Sequence, residues 1–371
     1  MKTGYESLKT PRRLLLGPGP SNISDEVSKA MTCPILSHLD PAFLAIMEEV
    51  QQMLRAVFMT ENRLTLPVSG TGSAGMEAAL VNAIEPGESV LVCVNGVFGT
   101  RMCDIVERCG GILHKIESTW GQPVDPHQVR DALKQSNARV VAVVHAETST
   151  GVLQPLKELS DIVHEHDGLF LVDTVTSLSG CPVKTDQWNL DICYSGTQKC
   201  LSCPPGLAPI TFSDRAVDKL ARRSTPVRSW YLDMTMVQKY WGADRVYHHT
   251  APINMIYALR EALRLILEEG LEIRWERHLK NHHILVGGLE ELGLQLLVEK
   301  QYRIPMLNSV LVPKGVDESD VRKRLLEEFD IEIGAGLGPL KGKIWRIGIM
   351  GHSCTTENVE RLLAALKTIL S

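Results

Sequence analysis

Apolar residues between positions 60 and 200 form short blocks that alternate with segments of helical periodicity. Blocks rich in apolar and β-branched residues predict strands at 89–94, 111–116 and 139–146. Segments whose apolar residues recur three and four positions apart predict helices between them, at 99–109, 126–134 and 155–166. Strand and helix in alternation favour an α/β fold with a doubly wound, mostly parallel sheet and right-handed crossovers.

The two ends of the chain have a different pattern. Residues 1–22 are predicted to form an N-terminal arm, because Gly-Pro-Gly-Pro interrupts the apolar residues after Leu16. From about residue 255, long charged helices precede short strands, including 294–298 and 343–350, which together predict a small α+β domain. We therefore expect a large domain at 23–268 and a small C-terminal domain at 269–371.

Two residues at the ends of predicted strands carry the first candidate chemistry. Asp173 follows four apolar residues, so it would stand at the carboxyl end of a buried strand, where open α/β sheets bind ligands. Lys199 follows another short strand on a turn of small residues. Each residue alone has an ordinary explanation, as a helix cap or a solvated surface lysine. Together they match pyridoxal phosphate, which needs an amine for its aldehyde and an acid beside its pyridine nitrogen.

A glycine-rich turn could hold the phosphate of such a cofactor. Gly70-Thr71-Gly72-Ser73 leads into a segment of helical periodicity. Free N–H groups and the helix dipole attract anions at a helix start. A tight helix entry explains the same residues, and the motif is neither a P-loop nor a complete G-x-G-x-x-G. Its presence beside Asp173 and Lys199 favours phosphate binding.

An aromatic residue and an arginine add to this set. Phe98 follows a predicted strand in a loop, where it could be ordinary core or could stack on a planar ring. Arg346 lies among apolar residues in the predicted strand 343–350, and a buried arginine needs an anion. That anion is either a substrate carboxylate or an acidic residue of the chain.

Composition and charge argue against several other classes. A net charge of −5 over 371 residues gives no electrostatic reason to expect nucleic acid or an anionic membrane as partner. No apolar run reaches the roughly 18 residues of a membrane helix, and the first residues lack a secretory signal, so a cytoplasmic location is expected. The nine cysteines do not predict disulfides. The pair Cys200 and Cys203 has no second pair or suitably spaced histidines, so no metal site is predicted.

These motifs resemble the class V, fold-type I pyridoxal-phosphate aminotransferases, and among them the alanine–glyoxylate and serine–pyruvate aminotransferase group. The likeness extends over nearly the whole chain. It rests on five motifs: Leu14-Leu-Leu-Gly-Pro-Gly-Pro-Ser-Asn22, Ser149-Thr-Gly-Val-Leu-Gln-Pro155, Ser195-Gly-Thr-Gln-Lys199, Tyr247-His-His-Thr250 and Arg346-Ile-Gly348. The resemblance implies a large cofactor-binding sheet domain and a small C-terminal α+β domain.

The resemblance also implies a role for each matching residue. Lys199 would hold the cofactor as a Schiff base and move the substrate proton, and Asp173 would contact the ring nitrogen. Phe98 would stack on the ring, and Thr148 would lie on its O3′ side. Substrate carboxylate would bind at Arg346, near the backbone of Gly17.

The phosphate would be held from two subunits. Within one subunit the implied contacts are Thr71, Gly72, Ser73 and Gln198. Tyr247 and Thr250 would reach the phosphate of the neighbouring subunit, which implies a homodimer with active sites at its interface. Ser73 departs from the group, since the animal enzymes carry histidine there.

The function implied is ping-pong transfer of an amino group from alanine or serine to glyoxylate, which gives glycine and pyruvate or hydroxypyruvate. The segment around His38 also resembles the (S)-ureidoglycine–glyoxylate branch, which is kept as an alternative. A cysteine desulfurase shares fold and cofactor but needs a nucleophilic cysteine in the small domain. No cysteine lies between residues 290 and 346, which argues against that enzyme.

Overall fold

Fourteen strands and twelve α-helices make up the regular structure of residues 4–371, the part of the chain that the computed structural model describes. The strands are β1 (Leu14–Leu15), β2 (Leu64–Ser69), β3 (Ser89–Val94), β4 (Ile112–Glu117), β5 (Val140–Val144), β6 (Ala146–Glu147), β7 (Val152–Leu153), β8 (Leu169–Asp173), β9 (Ile192–Tyr194), β10 (Leu207–Phe212), β11 (Leu307–Leu311), β12 (Ile331–Glu332), β13 (Gly334–Ala335) and β14 (Ile344–Gly348). The helices are α1 (Asp25–Ala30), α2 (Pro41–Phe58), α3 (Gly72–Ala83), α4 (Val97–Arg108), α5 (Pro126–Ser136), α6 (Lys157–Glu165), α7 (Asp214–Ala221), α8 (Met234–Trp241), α9 (Ile253–Glu269), α10 (Leu271–Glu291), α11 (Glu318–Phe329) and α12 (Thr356–Leu370).

Seven of the strands form one sheet in the order β2-β10-β9-β8-β5-β3-β4. The pairs from β9 to β4 are parallel, whereas β10 is antiparallel to both of its neighbours. Helices connect β3 to β4, β4 to β5 and β5 to β8, whereas residues 174–191 join β8 to β9 without a helix. The residues of β5 and β8 are all buried, as expected for a sheet covered on both faces. The predicted α/β fold with a mostly parallel, doubly wound sheet is therefore confirmed.

Strand β10 was not predicted, because a proline in its middle argues against a central strand. Pro209 stands opposite Pro67 of β2. The Pro209 carbonyl accepts from the Ser195 amide on the β9 side, at 2.7 Å, so its nitrogen also faces β9. Pro67 then faces outward from β2, an edge strand, and the two prolines cost the sheet only one internal hydrogen bond.

The C-terminal part has its own sheet and core. Strands β11, β14 and β13 form an antiparallel sheet, against which α10, α11 and α12 bury a second cluster of apolar side chains. Leu16 belongs to this cluster, and β1 pairs in parallel with β12. The N-terminal arm is thus attached to the C-terminal part. The division into domains at residues 22 and 268 stays a prediction.

Two local predictions need correction. Residues 294–298 were predicted as a strand, but they form only an isolated bridge, between Leu296 and Val310. Helix α4 begins at Val97, so Phe98 lies in its first turn and not in a loop. No helix within residues 4–371 is long and apolar enough to span a membrane.

Candidate active site

A cavity of about 160 Å³ lies at the carboxyl ends of the central parallel strands. Its walls include seven of the residues predicted from the sequence: Gly72, Ser73, Phe98, Thr148, Asp173, Gln198 and Lys199. Thr71 is the N-cap of α3, directly before Gly72, and Arg346 of β14 contacts the cavity residue Thr148 without being part of the wall itself. Gly17, Tyr247 and Thr250 are not part of the cavity wall. Strands far apart in sequence thus place most of the predicted site around one space.

Asp173 ends strand β8 and is held in place by two donors. Its Oδ2 accepts from the Tyr194 hydroxyl at 2.7 Å, and its Oδ1 accepts from the Val175 amide at 2.8 Å. Asp173 is only 3% exposed, and this burial raises the pKa of its carboxyl group to about 7 against the lowering effect of the two donors. A cation beside Asp173 would offset the cost of burying its charge.

Lys199 lies on the turn after β9 and is 8% exposed. Its amine donates to the Pro18 carbonyl, and its own carbonyl accepts from Ser21 Oγ at 2.8 Å. Between these contacts Gly19 leaves no room for a side chain, since a Cβ there would lie 2.5 Å from Lys199 Nζ. Burial, aided by the charge of Arg346, lowers the pKa of the Lys199 amine to about 8. The amine is therefore far more often neutral at physiological pH than an exposed lysine is.

The start of helix α3 leaves its amide groups free. Thr71 forms no side-chain capping bond, and within residues 4–371 the Gly72 and Ser73 amides find no acceptor. The Gln198 Oε1 atom is buried and likewise has no partner among the described residues. Gly72 packs closely on Val175, so its backbone faces the cavity without a side chain in between. Such a helix start can bind an anion.

Phe98 forms the opposite wall of the cavity from the first turn of α4. Its ring is half-buried, and the guanidinium carbon of Arg101 lies 4.8 Å from the ring centre. Arg101, which also lines the cavity, covers one face of this ring, so a planar ligand can stack on Phe98 only where Arg101 leaves the ring free. Thr148 contributes its backbone carbonyl to Arg346, at 3.2 Å, and its side chain to the cavity wall.

Arg346 is 7% exposed and has no carboxylate partner among residues 4–371. Its Nε donates to the Ala335 carbonyl at 2.6 Å, and its Nη1 donates to the Thr148 carbonyl. Burial lowers the pKa of the guanidinium group to about 10, although the nearby charge of Glu147 opposes that shift. Gly348, on the same strand, packs against the backbone carbonyl of Gly17. The alternative of an ion pair with an acid of this chain is therefore not what the structure shows.

Tyr247 and Thr250 lie outside the cavity, on the exposed segment between α8 and α9. Their hydroxyl oxygens are 3.4 Å apart. Large apolar side chains nearby are also exposed, among them Trp230, at 64%, and Val246. The structure of one chain thus leaves these two residues on an apolar surface and away from its own site.

Sequence reasoning missed two residues of the site. Tyr194 lies in the short strand before Lys199, opposite Asp173 in the β8–β9 register, which brings its hydroxyl to the carboxylate. Glu147 was not considered at all, although it is fully buried beside Phe98 and its burial raises the pKa of its carboxyl group. Its position at the end of a strand was an available signal. Its hydrogen-bond partners, the amides of Gly99 and Phe98, lie 48 and 49 residues earlier in the chain and could not be recognised from the sequence.

Comparisons with known proteins identify the family. The family model described as aminotransferase class-V matches residues 23–362. The crystal structure of an alanine–glyoxylate aminotransferase from Nostoc sp. is 52% identical, covers 100% of this chain and 98% of its own, and superposes with a TM-score of 0.98. The ureidoglycine–glyoxylate aminotransferase structure from Bacillus subtilis is 44% identical over 98% of this chain and 94% of its own, with a TM-score of 0.97. The rat alanine–glyoxylate aminotransferase is 43% identical over 98% of this chain and 89% of its own length. The chain belongs to the class V aminotransferases.

Proposed function

We propose that this aminotransferase uses pyridoxal phosphate to move an amino group from alanine or serine to glyoxylate, which gives glycine and pyruvate or hydroxypyruvate. The observation that carries the proposal is a buried cation without a protein anion, Arg346, beside the cavity of Lys199 and Asp173. Every substrate in this reaction has an α-carboxylate, and a guanidinium group binds carboxylates with paired hydrogen bonds. The relatives named alanine–glyoxylate aminotransferase support the same substrates.

The residues around the cavity fit pyridoxal phosphate. The free amides of Gly72 and Ser73 suit a phosphate, and Gln198 suits it once its side-chain amide turns so that the NH2 group, and not the unpartnered Oε1, faces the anion. The Phe98 face suits an aromatic ring, and the buried Asp173 carboxylate suits a protonated ring nitrogen. When bound, the cofactor would supply an aldehyde for amines and a ring that takes up electron density.

Lys199 has the properties that a nucleophile and a proton carrier need. Its lowered pKa makes a neutral amine common near pH 8, and only the neutral amine can react with a carbonyl group. The Pro18 carbonyl accepts a hydrogen bond from Nζ, which gives the amine a defined direction. We propose that Lys199 takes the α-proton of the donor and later returns a proton to the acceptor. Both half-reactions use one site, so ping-pong kinetics are expected.

We further propose that the active enzyme is a homodimer in which Tyr247 and Thr250 complete the phosphate site of the neighbouring subunit. Support comes from the exposed hydroxyls of these residues and from the apolar surface around them, which includes Trp230, Tyr231 and Val246. Large exposed apolar patches are typical of protein interfaces. Light scattering should therefore give twice the chain mass of 41.1 kDa, and Tyr247→Glu should give monomers with weakened cofactor binding.

A second candidate function is (S)-ureidoglycine–glyoxylate transamination. The Bacillus subtilis relative with that name favours it, as does the segment at His38, whose ring lies 5.1 Å from that of Tyr247. A cysteine desulfurase remains the weakest alternative, since the small domain offers only the buried Cys354. The cytoplasmic location stays a prediction.

A donor panel tests the proposal. Alanine, serine and ureidoglycine are each supplied with glyoxylate, and the oxo acid formed is measured. Lys199→Ala should abolish turnover and the yellow colour that borohydride removes, whereas Lys157→Ala, which changes an exposed lysine paired with Asp161, should alter neither. Turnover by the Lys199→Ala protein would contradict the proposal, and a strong preference for ureidoglycine would select the second candidate.

A further inference from the structure

Glu147 is a fully buried carboxylate that the proposed chemistry does not use. Its Oε2 accepts from the amides of Phe98, at 3.0 Å, and Gly99, at 3.4 Å. Its Oε1 accepts from the Ser149 amide at 3.0 Å and from Ser149 Oγ at 2.6 Å. Three of the four partners are backbone amides, which can only donate, so these three contacts match the ionised form of the carboxyl group.

Ser149 extends these contacts to the first residue of helix α4. Its Oγ accepts from the Val97 amide at 2.9 Å while it donates to Glu147. The first three amides of the helix, those of Val97, Phe98 and Gly99, are therefore all satisfied by the Glu147–Ser149 turn. The N-cap residue of the helix, Gly96, has no side chain that could do this.

The close approach of Glu147 also explains a glycine. A Cβ at Gly96 would overlap Glu147 Cγ and Ser149 Oγ. The φ angle of Gly96 is 169°, an extended value that any residue can adopt, so the space and not the backbone angle requires glycine here. The turn at 147–149 and the start of α4 are thus packed as one unit.

We infer that Glu147 is a positioning residue that acts through Phe98, because it holds the backbone of that residue where its ring forms the wall of the cofactor cavity. Phe98 is the second residue of a helix, and its ring direction depends on how the first turn is fixed. Glu147 itself does not line the cavity. The inference rests on the proposed use of pyridoxal phosphate.

The test is a double-mutant cycle on cofactor affinity. Pyridoxal phosphate is titrated into cofactor-free protein, and binding is followed by absorbance and by the visible circular dichroism of the bound ring. Glu147→Gln keeps the shape but places an amide donor against donors. We expect the dissociation constant to rise by about three- to tenfold, the range of an aromatic contact. In a Phe98→Leu protein, the same change should raise it by less than about twofold, because the ring that Glu147 positions is gone.

Two further variants accompany the double-mutant cycle, one as a control and one as a milder change to the same contacts. Glu318→Gln changes a mostly buried glutamate of α11 and should leave the dissociation constant unaltered, even if the thermal midpoint falls. Ser149→Ala retains the carboxylate and, should Glu147→Gln fold poorly, tests the same contacts with a smaller expected effect. An unchanged dissociation constant in Glu147→Gln, or an equal effect with and without the Phe98 ring, would overturn the inference. Failure of the unaltered protein to bind pyridoxal phosphate would instead overturn the proposed function.

Discussion

Helices α3 and α4 both begin shortly after a sheet strand ends, and neither receives a capping bond from its own N-cap side chain. At α4 the first three amides bind Glu147 and Ser149 of the same chain. At α3 the Gly72 and Ser73 amides have no acceptor among residues 4–371. The same local element thus has two uses: where the protein supplies the anion, the helix start orients a side chain, and where it does not, the helix start can receive a ligand.

The largest expected effect comes from a carboxylate placed at the open helix start. Ser73→Asp would put an acid where the proposed phosphate binds. Like charges about 4 Å apart repel by about 4 kcal/mol at an effective dielectric of 20, so pyridoxal phosphate should bind on the order of a thousandfold more weakly. The cofactor-free protein should gain about 0.3–1 kcal/mol of unfolding free energy from the helix dipole.

Equilibrium titration and chemical denaturation measure the two effects of Ser73→Asp separately. Ser73→Asn, which has nearly the same shape and no charge, is the control and should show a much smaller loss of affinity. Unchanged cofactor affinity in Ser73→Asp would mean that the phosphate does not bind at α3.

The same contrast exists between two buried arginines. Arg274 is paired with Glu269 at 2.5 Å, whereas Arg346 has no acidic partner within residues 4–371. Arg346→Lys should lower kcat/KM for alanine, serine and glyoxylate alike by about a hundredfold, a loss of about 3 kcal/mol in transition-state binding. The reason is that lysine lacks the planar guanidinium group, which can form two parallel hydrogen bonds to a carboxylate. Arg274→Lys should mainly lower the thermal midpoint. Kinetics with each substrate and thermal unfolding of both proteins provide the measurement, and the opposite pattern would make Arg346 a structural residue.

A methyl group added at Gly96 should disturb the start of α4, whose first amides bind Glu147 and Ser149. Gly96→Ala would push against Glu147 and Ser149, and we expect a loss of about 1–3 kcal/mol in unfolding free energy, as for other overpacked sites. Gly287→Ala, within α10, meets no atom within 4 Å and should instead stabilise by about 0.5–1 kcal/mol. Denaturant unfolding measures both variants. Equal stability of the two proteins would mean that the contact at Gly96 relaxes without cost.

The smallest expected effect concerns pH and involves neither helix start. The pKa of Lys199 is lowered from 10.5 to about 8, so the folded protein releases this proton as the pH rises through about 8. The rate of cofactor capture should therefore rise about tenfold between pH 7 and 9 and then level off. The unfolded chain holds the proton up to about pH 10.5, whereas the folded protein has lost it above about pH 8. The unfolding free energy of the cofactor-free protein should therefore increase with pH between about pH 8 and 10.5. Stopped-flow absorbance measures the rate, and a rate independent of pH would contradict the lowered pKa.

The fold was predictable wherever one strand or helix could be recognised from its own residues. Strands β3 and β8 and helices α5 and α6 follow from local patterns, whereas β10 is hidden by Pro209, whose missing amide can be judged only once its neighbours are known. The positions of Lys199 and Asp173 were likewise predictable, because each follows a strand that its own residues reveal. Strand ends predicted that the two would lie close together.

The parts of the site that could not be predicted depend on contacts between distant residues. The strand end at Glu147 indicates a position where ligands bind, but it does not reveal that the start of α4 will pack on the carboxylate. Likewise, nothing near Arg346 in sequence reveals whether an acid will face it in the fold. Packing decides both questions, because a buried charge is defined by its neighbours in space.

The pairing of β1 with β12 has a consequence for how the protein is made. Leu14 leaves the ribosome early, but its partner Ile331 follows more than three hundred residues later. Domains generally fold as they emerge, so the central sheet can form while the arm still lacks its strand partner. The arm also carries Pro18 and Ser21, which contact Lys199. The charge of Arg346, which together with burial lowers the pKa of the Lys199 amine, also comes from a late strand, so the surroundings of this amine are complete only near the end of synthesis.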